Sequence, residues 1–180
     1  GMRKTILYIA MSLDGYIADR DGGVAWLAGD GSSPDHPGSY PRFYESIDTV
    51  ILGYATYRQI VTELFPDGWI YQGKTSYVLT HRRERPAGDV IFTDEEIAGL
   101  ITRLKAAEGR DIWICGGADI VNQLIDRRLI DRYHLTIIPT ILGSGLRLFG
   151  TRDEEQRLRL VSTETYNGMT DLVFEPREPL

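Results

Sequence analysis

Short, nearly continuous apolar runs recur along this sequence, and they restrict its fold more than any other feature. The first run, 5–11, is closed by an Asp-Gly pair, and a second, 49–53, leads directly into a helical stretch from 55 to about 63. Another run, 111–115, meets Gly116-Gly117 and then a helical stretch over 118–126. Runs of this length without alternation fit strands that are buried on both faces. Such strands, separated by helices, predict the α/β class.

The last third of the chain predicts an antiparallel end. Two apolar runs, 158–161 and 171–174, are joined near Asn167-Gly168, a residue pair with a known hairpin preference. The α/β series is completed by predicted strands at 76–80, 90–92 and 133–138, and by predicted helices at 41–46 and from Thr93 or Asp94 to about 107. The segment 19–41 is rich in Gly, Asp, Ser and Pro and predicts a long loop, either a lid over a binding site or a variable surface insertion.

Composition narrows the class of protein. The chain has 180 residues, so we expect one domain over 2–180, with Gly1 as a remnant of tag removal. Its 20 Lys and Arg against 26 Asp and Glu give a net charge of −6, which argues against nucleic acid as a partner. The longest apolar runs have about six residues, too few to span a membrane. One cysteine and no secretory leader predict a cytoplasmic protein. The three histidines lack metal-ligand spacing, so we expect no metal site.

Three predicted strand ends carry groups that suit a phosphate. Gly116-Gly117 lies between a strand and a helix, where glycine lets a ligand approach the backbone, although such a pair is often only a tight turn. The segment 53–57 forms a second junction with Thr56, and 79–83 ends a third strand with a hydroxyl and two arginines. The Rossmann and P-loop fingerprints are both missing from the sequence. Agreement among the three junctions therefore carries the hypothesis of a phosphate-bearing ligand.

Five segments in order carry a family resemblance: 12–18 (SLDGYIA), 50–57 (VILGYATY), 77–80 (YVLT), 114–118 (ICGGA) and 138–149 (IPTILGSGLRLF). Together they resemble the dihydrofolate reductase superfamily, and within it the reductase domain of bifunctional riboflavin-biosynthesis enzymes. The resemblance runs from Met2 to about Phe174. It implies a dihydrofolate reductase-like three-layer fold: a mostly parallel eight-stranded central sheet with flanking helices and a C-terminal antiparallel hairpin.

The resemblance also implies NADPH as cofactor and assigns residues to it. Ala10 and Ile17 would offer backbone groups to the nicotinamide, with 14–26 as a mobile loop above it. Residues on both sides of the pyrophosphate would be Gly53, Ala55 and Thr56, and Gly116, Gly117, Ala118, Asp119 and Ile120. Thr80, His81 and Arg82 would face the 2′-phosphate. Thr136 matches a threonine that bonds the substrate in dihydrofolate reductases.

The sequence departs from the family pattern at two places. The segment 37–44 has no acid where dihydrofolate reductases carry the carboxylate that holds the pterin, which puts folate reduction in doubt. Tyr54 replaces a phosphate-binding arginine, for which Arg82 and Arg83 are possible substitutes. Candidate proton sources are Asp14 and Glu45, both of which could equally be solvated surface carboxylates. The aromatic residues Trp26, Tyr40, Phe43 and Tyr44 could wall a substrate cavity or be ordinary packing.

These observations predict an NADPH-dependent oxidoreductase that transfers hydride to a small pterin, pyrimidine or related conjugated substrate, and that is not an efficient dihydrofolate reductase. The alternative is a catalytically weak NADP(H)-binding sensor or ligand-binding protein of the same fold. The expected partner is a small molecule, with a homodimer left open.

Overall fold

The computed structural model describes residues 2–82, 84 and 88–177. Ten strands are present in the described residues: β1 Thr5–Ser12, β2 Tyr16–Ala18, β3 Ile47–Gly53, β4 Thr75–Leu79, β5 Val90–Thr93, β6 Asp111–Gly116, β7 Arg132–Ile138, β8 Leu146–Arg147, β9 Leu158–Tyr166 and β10 Met169–Pro176. The helices are α1 Tyr40–Ser46, α2 Tyr54–Gln59, α3 Ile97–Ala106 and α4 Ala118–Asp126, and α2 continues into a π-helical turn, Ile60–Leu64.

Eight of the strands form one sheet in the order β5-β4-β3-β6-β1-β7-β10-β9. The six strands from β5 to β7 are mutually parallel, and β10 and β9 add to them in antiparallel orientation. The predicted mostly parallel eight-stranded sheet with a C-terminal hairpin is therefore confirmed. Because the carboxyl ends of parallel strands meet at one edge, the three predicted phosphate junctions share that edge.

Each face of the sheet is covered by its own apolar cluster, which makes the fold three-layered. Neighbouring residues of β1 belong to different clusters: Ile6 packs toward Phe43 of α1, and Leu7 toward Leu100 and Leu124 of α3 and α4. Successive side chains of a strand point to opposite faces, so a strand covered on both sides is apolar throughout. This explains the continuous apolar runs of β1, β3 and β6.

Two features differ from the sequence-based expectation. Helix α3 begins at Ile97 rather than after Thr93 or Asp94, because Thr93 belongs to β5 and its Oγ1 accepts the backbone N–H of Glu95 at 3.1 Å. The strands β2 and β8 form an unpredicted antiparallel ribbon that pairs Tyr16 with Arg147. No helix among the described residues is long and apolar enough to cross a lipid bilayer.

Candidate active site

A cavity of about 1160 Å³ lies at the carboxyl ends of β3, β4, β5 and β6. It is slightly larger than the usual size range of small-molecule and cofactor sites. Nine of the thirteen residues predicted to bind cofactor line it: Gly53, Ala55, Thr56, Thr80, His81, Gly117, Ala118, Asp119 and Ile120. The tertiary structure therefore brings together all three junctions that the sequence separates.

At two glycines, the wall of this cavity is backbone without a side chain. A Cβ atom on Gly117 would lie 3.3 Å from Thr56 Oγ1, and one on Gly53 would lie 3.1 Å from the Cδ1 atom of Ile120. Both distances are shorter than an ordinary van der Waals contact. The peptide bond between Gly116 and Gly117 is cis. A pyrophosphate fits where these side chains are missing, because it can approach the backbone amides directly.

The third junction is held together by Tyr54, the residue that replaces the family's arginine. The guanidinium carbon of Arg82 lies 4.9 Å from the centre of the Tyr54 ring, and the Tyr54 hydroxyl donates to Glu84 at 2.5 Å. The backbone N–H of Arg82 donates to Thr80 Oγ1 at 3.0 Å. The exposed side chain of Arg82 does not line the cavity but lies beside it. Arg83 lies outside the described residues.

The rim of the cavity also carries acidic side chains. Asp21, Glu63 and Asp94 line it, together with Glu95 and Glu96. Two of these are neutralised by ion pairs: Glu95 with Arg103 at 2.7 Å and Glu96 with Arg127 at 2.5 Å. Among the described residues, Arg58 lines the cavity and Arg82 lies beside it, so both can offset the negative charge of this rim.

The residues predicted to hold the nicotinamide do not line this cavity. Ala10 pairs with Thr136 between β1 and β7, and Ile17 belongs to β2. Ala18, the neighbour of Ile17, lines the cavity. Gly116 ends β6 with φ +132°, in a region of backbone conformation that favours glycine. All thirteen cofactor assignments stay predictions, whether or not the residue lines the cavity.

Asp14, a predicted proton source, links the turn after β1 to the loop after β7 by hydrogen bonds. Its carboxylate accepts hydrogen bonds from Ser12 Oγ at 2.6 Å and from the backbone N–H groups of Leu142 and Gly143 at 3.1 and 2.8 Å. The bond from Ser12, aided by the backbone bonds, lowers the pKa of Asp14 to about 2. A carboxyl with this pKa carries no proton near neutral pH, which argues against the predicted role. Glu45, the other candidate, lies on an exposed face of α1.

The four predicted substrate-wall residues are not all brought together. Tyr40, Phe43 and Tyr44 share α1, whereas Trp26 lies in the loop after β2 and donates its Nε1–H to the carbonyl of Gly23. Tyr40 is 39% exposed, but Phe43 is 8% exposed. The Phe43 ring stacks on Tyr8 with the ring centres 4.2 Å apart, so no flat ring fits between these two side chains. The Tyr44 hydroxyl donates to the carbonyl of Gln72. Tyr40 is therefore the most accessible of the α1 aromatics.

Sequence reasoning missed a buried polar network beside Thr136. The carboxylate of Asp171 on β10 is 1% exposed and accepts from Thr136 Oγ1 at 2.8 Å and from the Tyr166 hydroxyl at 2.7 Å. Its second oxygen lies 2.9 Å from Nε2 of His134. The Ser39 hydroxyl contacts Tyr166, at 3.2 Å. An acidic residue inside the apolar run 171–174 was the available signal for this network.

Ionisation of Asp171 follows from these contacts. Burial acts to raise its pKa, but hydrogen bonds from His134, Ser39, Tyr166 and Thr136 outweigh burial and lower it below the ordinary value. An ionised carboxylate can only accept hydrogen bonds. Nε2 of His134 must therefore carry the proton in this contact.

Replacement of Asp171 by Asn is expected to destabilise the fold by about 2 kcal/mol at pH 7, because bonds to a buried charged acceptor are lost. Since the pKa of Asp171 is lower in the folded than in the unfolded chain, its stabilisation is present above the unfolded pKa and is lost as pH falls through the folded one. The deficit of the variant should thus shrink below about pH 4. Denaturant unfolding at pH 7, 5 and 3.5 measures this.

The matched control is Glu164→Gln, at the position paired with Asp171 on the neighbouring strand β9. Glu164 forms an outer ion pair with Arg42, so its loss should change stability by less than about 1 kcal/mol. An equal effect of the two substitutions, or a deficit of the Asp171 variant that does not change with pH, would contradict the assigned role of Asp171.

Comparison with known proteins gives the family. The family model for the RibD C-terminal domain matches residues 3–172. The uncharacterized protein YwjB of Bacillus subtilis (strain 168) is 41% identical over 175 residues, which cover 96% of this chain and 97% of that protein. A solved structure assigned to riboflavin biosynthesis in Shewanella sp. PV-4 has a TM-score of 0.84 and 26% identity, and covers 97% of this chain and 99% of the other.

Likeness in fold extends to a more distant enzyme. Dihydrofolate reductase from Enterococcus faecalis superposes with a TM-score of 0.65 at 17% identity, covering 97% of both chains. The chain therefore belongs to the RibD C-terminal domain family and has a dihydrofolate reductase-like reductase fold.

Proposed function

We propose that this protein is an NADPH-dependent oxidoreductase that reduces a small, flat, conjugated substrate of pterin, pyrimidine or related type. The observation that carries the proposal is the 1160 Å³ cavity, in which three strand-end junctions face one another. The reductases among the solved structures with a similar fold support the same interpretation. The proposal includes a cytoplasmic location, a small-molecule partner and the absence of nucleic-acid and membrane partners, with a homodimer left open.

The residues of the chain bind and orient the cofactor. Gly53 and Gly117 leave room for the pyrophosphate, and Thr56 offers a hydroxyl between them. The α4 N-terminus, which also lines the cavity, favours a negative charge. Arg82 would pair with the 2′-phosphate. When bound, the nicotinamide supplies the hydride, and the protein supplies orientation, exclusion of water and a proton.

Tighter binding of NADPH than of NADH is the first expected result. Charge-assisted hydrogen bonds from Arg82 to the 2′-phosphate are worth about 1.5–3 kcal/mol, or roughly 10- to 150-fold in affinity. Arg82→Ala should remove most of this preference, whereas Arg42→Ala, an exposed arginine of α1, should not. Fluorescence titration of both cofactors measures the ratio. Equal affinities in the parent protein would refute the assignment of Arg82, and would be in line with the acidic rim.

Turnover separates the proposal from its alternative. A ligand-binding protein without activity is favoured by one observation: the segment 37–44 has no acid where dihydrofolate reductases carry one, and the Thr136 hydroxyl bonds to Asp171 of β10. We expect purified protein to oxidise NADPH with at least one member of a panel of pterins, flavins and aminopyrimidines. Tight NADPH binding without oxidation by any member of the panel would favour the ligand-binding alternative.

A further inference from the structure

We propose that His134, held in place by Asp171, gives the proton to the substrate during reduction, so that this site takes acceptors whose C=N or C=O bond must be protonated as it is reduced. This inference rests on the proposed reductase function and names the proton source that it leaves open. The geometry of the network around Asp171 carries it.

The carboxylate of Asp171 cannot reach a substrate itself. Hydrogen bonds from Thr136, Tyr166 and His134 occupy both of its oxygens, and its side chain is 1% exposed. The His134 side chain, at 14% exposed, is the more accessible partner of this pair. Its contacts with Asp171 and Ser39 both use Nε2, so Nδ1 lies outside this network. A carboxylate that fixes one ring nitrogen and leaves the other for chemistry is a recurring arrangement in general acid–base catalysis.

The strand register places His134 near the expected point of hydride transfer. Tyr8 pairs with His134 and Ala10 pairs with Thr136, so the side chains of these four residues lie on one face of the sheet. Ala10 is the residue predicted to hold the nicotinamide. His134 lies two residues before Thr136 on β7, so it is displaced from Ala10 by roughly 6.6 Å along the strand direction. One small ring of a substrate, placed between the nicotinamide and His134, would span about this distance.

The other titratable groups that contact His134 or its partner do not compete with it. The Tyr8 ring lies 4.4 Å from the His134 ring, and burial raises the pKa of Tyr8 to about 12. Burial also raises the pKa of Tyr166. Both phenols therefore hold their protons near neutral pH, and Asp171 is the ionised group in direct contact with the histidine. Histidine is the side chain that ordinarily exchanges a proton between pH 5 and 8, the range in which general acids are most effective.

The proposed step balances in atoms and charge. With NADPH bound, the nicotinamide would supply a hydride to the carbon of C=N or C=O, and the π electron pair of that bond would move to the nitrogen or oxygen. The Nδ1–H bond of the His134 imidazolium breaks as the new N–H or O–H bond forms. The substrate is reduced, the nicotinamide is oxidised, and the now neutral histidine regains its proton from water.

Two matched substrates test this step. 3,4-Dihydroisoquinoline is a flat conjugated imine that needs a proton, and its N-methyl iminium ion accepts hydride without one. We expect His134→Gln to slow NADPH-dependent reduction of the imine at pH 8 by about 10²–10⁴-fold and that of the iminium ion by less than threefold. The imine rate of the variant should recover as pH falls, because the imine then arrives protonated. His36→Gln, which changes the exposed histidine stacked on Tyr166, should behave like the parent protein.

A second measurement does not depend on turnover. Calorimetric titration of the imine into the NADP⁺ complex, in buffers of different ionisation enthalpy, should show proton uptake in the parent protein and none in His134→Gln. NADPH affinity should be unchanged, which confirms that the variant is folded; His134→Asn serves if the Gln variant is not. Equal loss with both substrates, or no loss with either, overturns the role of His134 alone. The panel of pterins, flavins and aminopyrimidines tests the proposed function separately, so a parent protein that oxidises NADPH with a panel member but reduces neither of these two substrates overturns the inferred acceptor class and not the reductase function.

Discussion

Replacing Gly117 with Val is expected to weaken NADPH binding at least about 100-fold, because the branched side chain occupies the space through which a pyrophosphate reaches the backbone. The loss corresponds to about 3 kcal/mol, roughly two charge-assisted hydrogen bonds. A Cβ at this position already lies 3.3 Å from Thr56 Oγ1, so the two methyl groups of valine must project into the cavity or displace Thr56. Titration of the purified variant with NADPH measures the effect.

The fold should survive this substitution. Gly117 has φ −89°, a value that residues with a side chain adopt readily, and a shift of a few tenths of an ångström relieves the contact with Thr56. Gly99→Val is the control, because Gly99 lies on α3 and a Cβ at that position would have no other atom within 4 Å. It should leave NADPH affinity unchanged. A Gly117 variant that is unfolded at room temperature would mean that the glycine serves only the turn, and normal NADPH affinity would refute the phosphate site.

Dihydrofolate is expected to be reduced slowly or not at all. The rate should be about 10²–10⁴-fold lower than at a site with a positioned acid. At the start of α1, where a carboxylate is expected from the resemblance to dihydrofolate reductases, Ser39 is buried and bonds to Tyr8 at 2.7 Å. Asp171 accepts a hydrogen bond from Thr136, but its carboxylate is 1% exposed and therefore not accessible to a pterin. The stacked rings of Tyr8 and Phe43 also close the gap between β1 and α1. The protein thus lacks the carboxylate that anchors the pterin at this place in dihydrofolate reductases.

A steady-state assay of NADPH absorbance with dihydrofolate, from pH 5 to 8, measures this rate. The same preparation is assayed with the best acceptor of the panel, so that an inactive sample is recognised. A slow rate that rises toward pH 5 agrees with the prediction, because protons from the solvent then replace the missing acid. Fast turnover near pH 7 would contradict it and show that another group, with His134 as the first to examine, both anchors and protonates the pterin.

The sequence by itself determined the strands and the strand-end junctions that line the cavity. The runs in β1, β3 and β6 are apolar throughout because both faces of each strand are covered, and this pattern is visible without coordinates. Glycine at 53 and 117 marks close approach of the backbone in the same direct way. The family resemblance implied a mostly parallel eight-stranded sheet, but the order of its strands came from the tertiary structure, since apolar periodicity does not state which strand lies beside which.

The tertiary structure decided which polar groups form hydrogen bonds with one another. Asp14 was a candidate acid because it follows β1, but its bonds to Leu142 and Gly143 depend on a loop 128 residues away. The ribbon of β2 and β8 has three and two residues, too short for periodicity to detect. Asp171 meets Thr136 only because β10 inserts between β7 and β9 in a register that places these residues opposite each other. Local sequence sets which residues are buried, whereas the long-range register of the sheet sets which buried polar groups become partners.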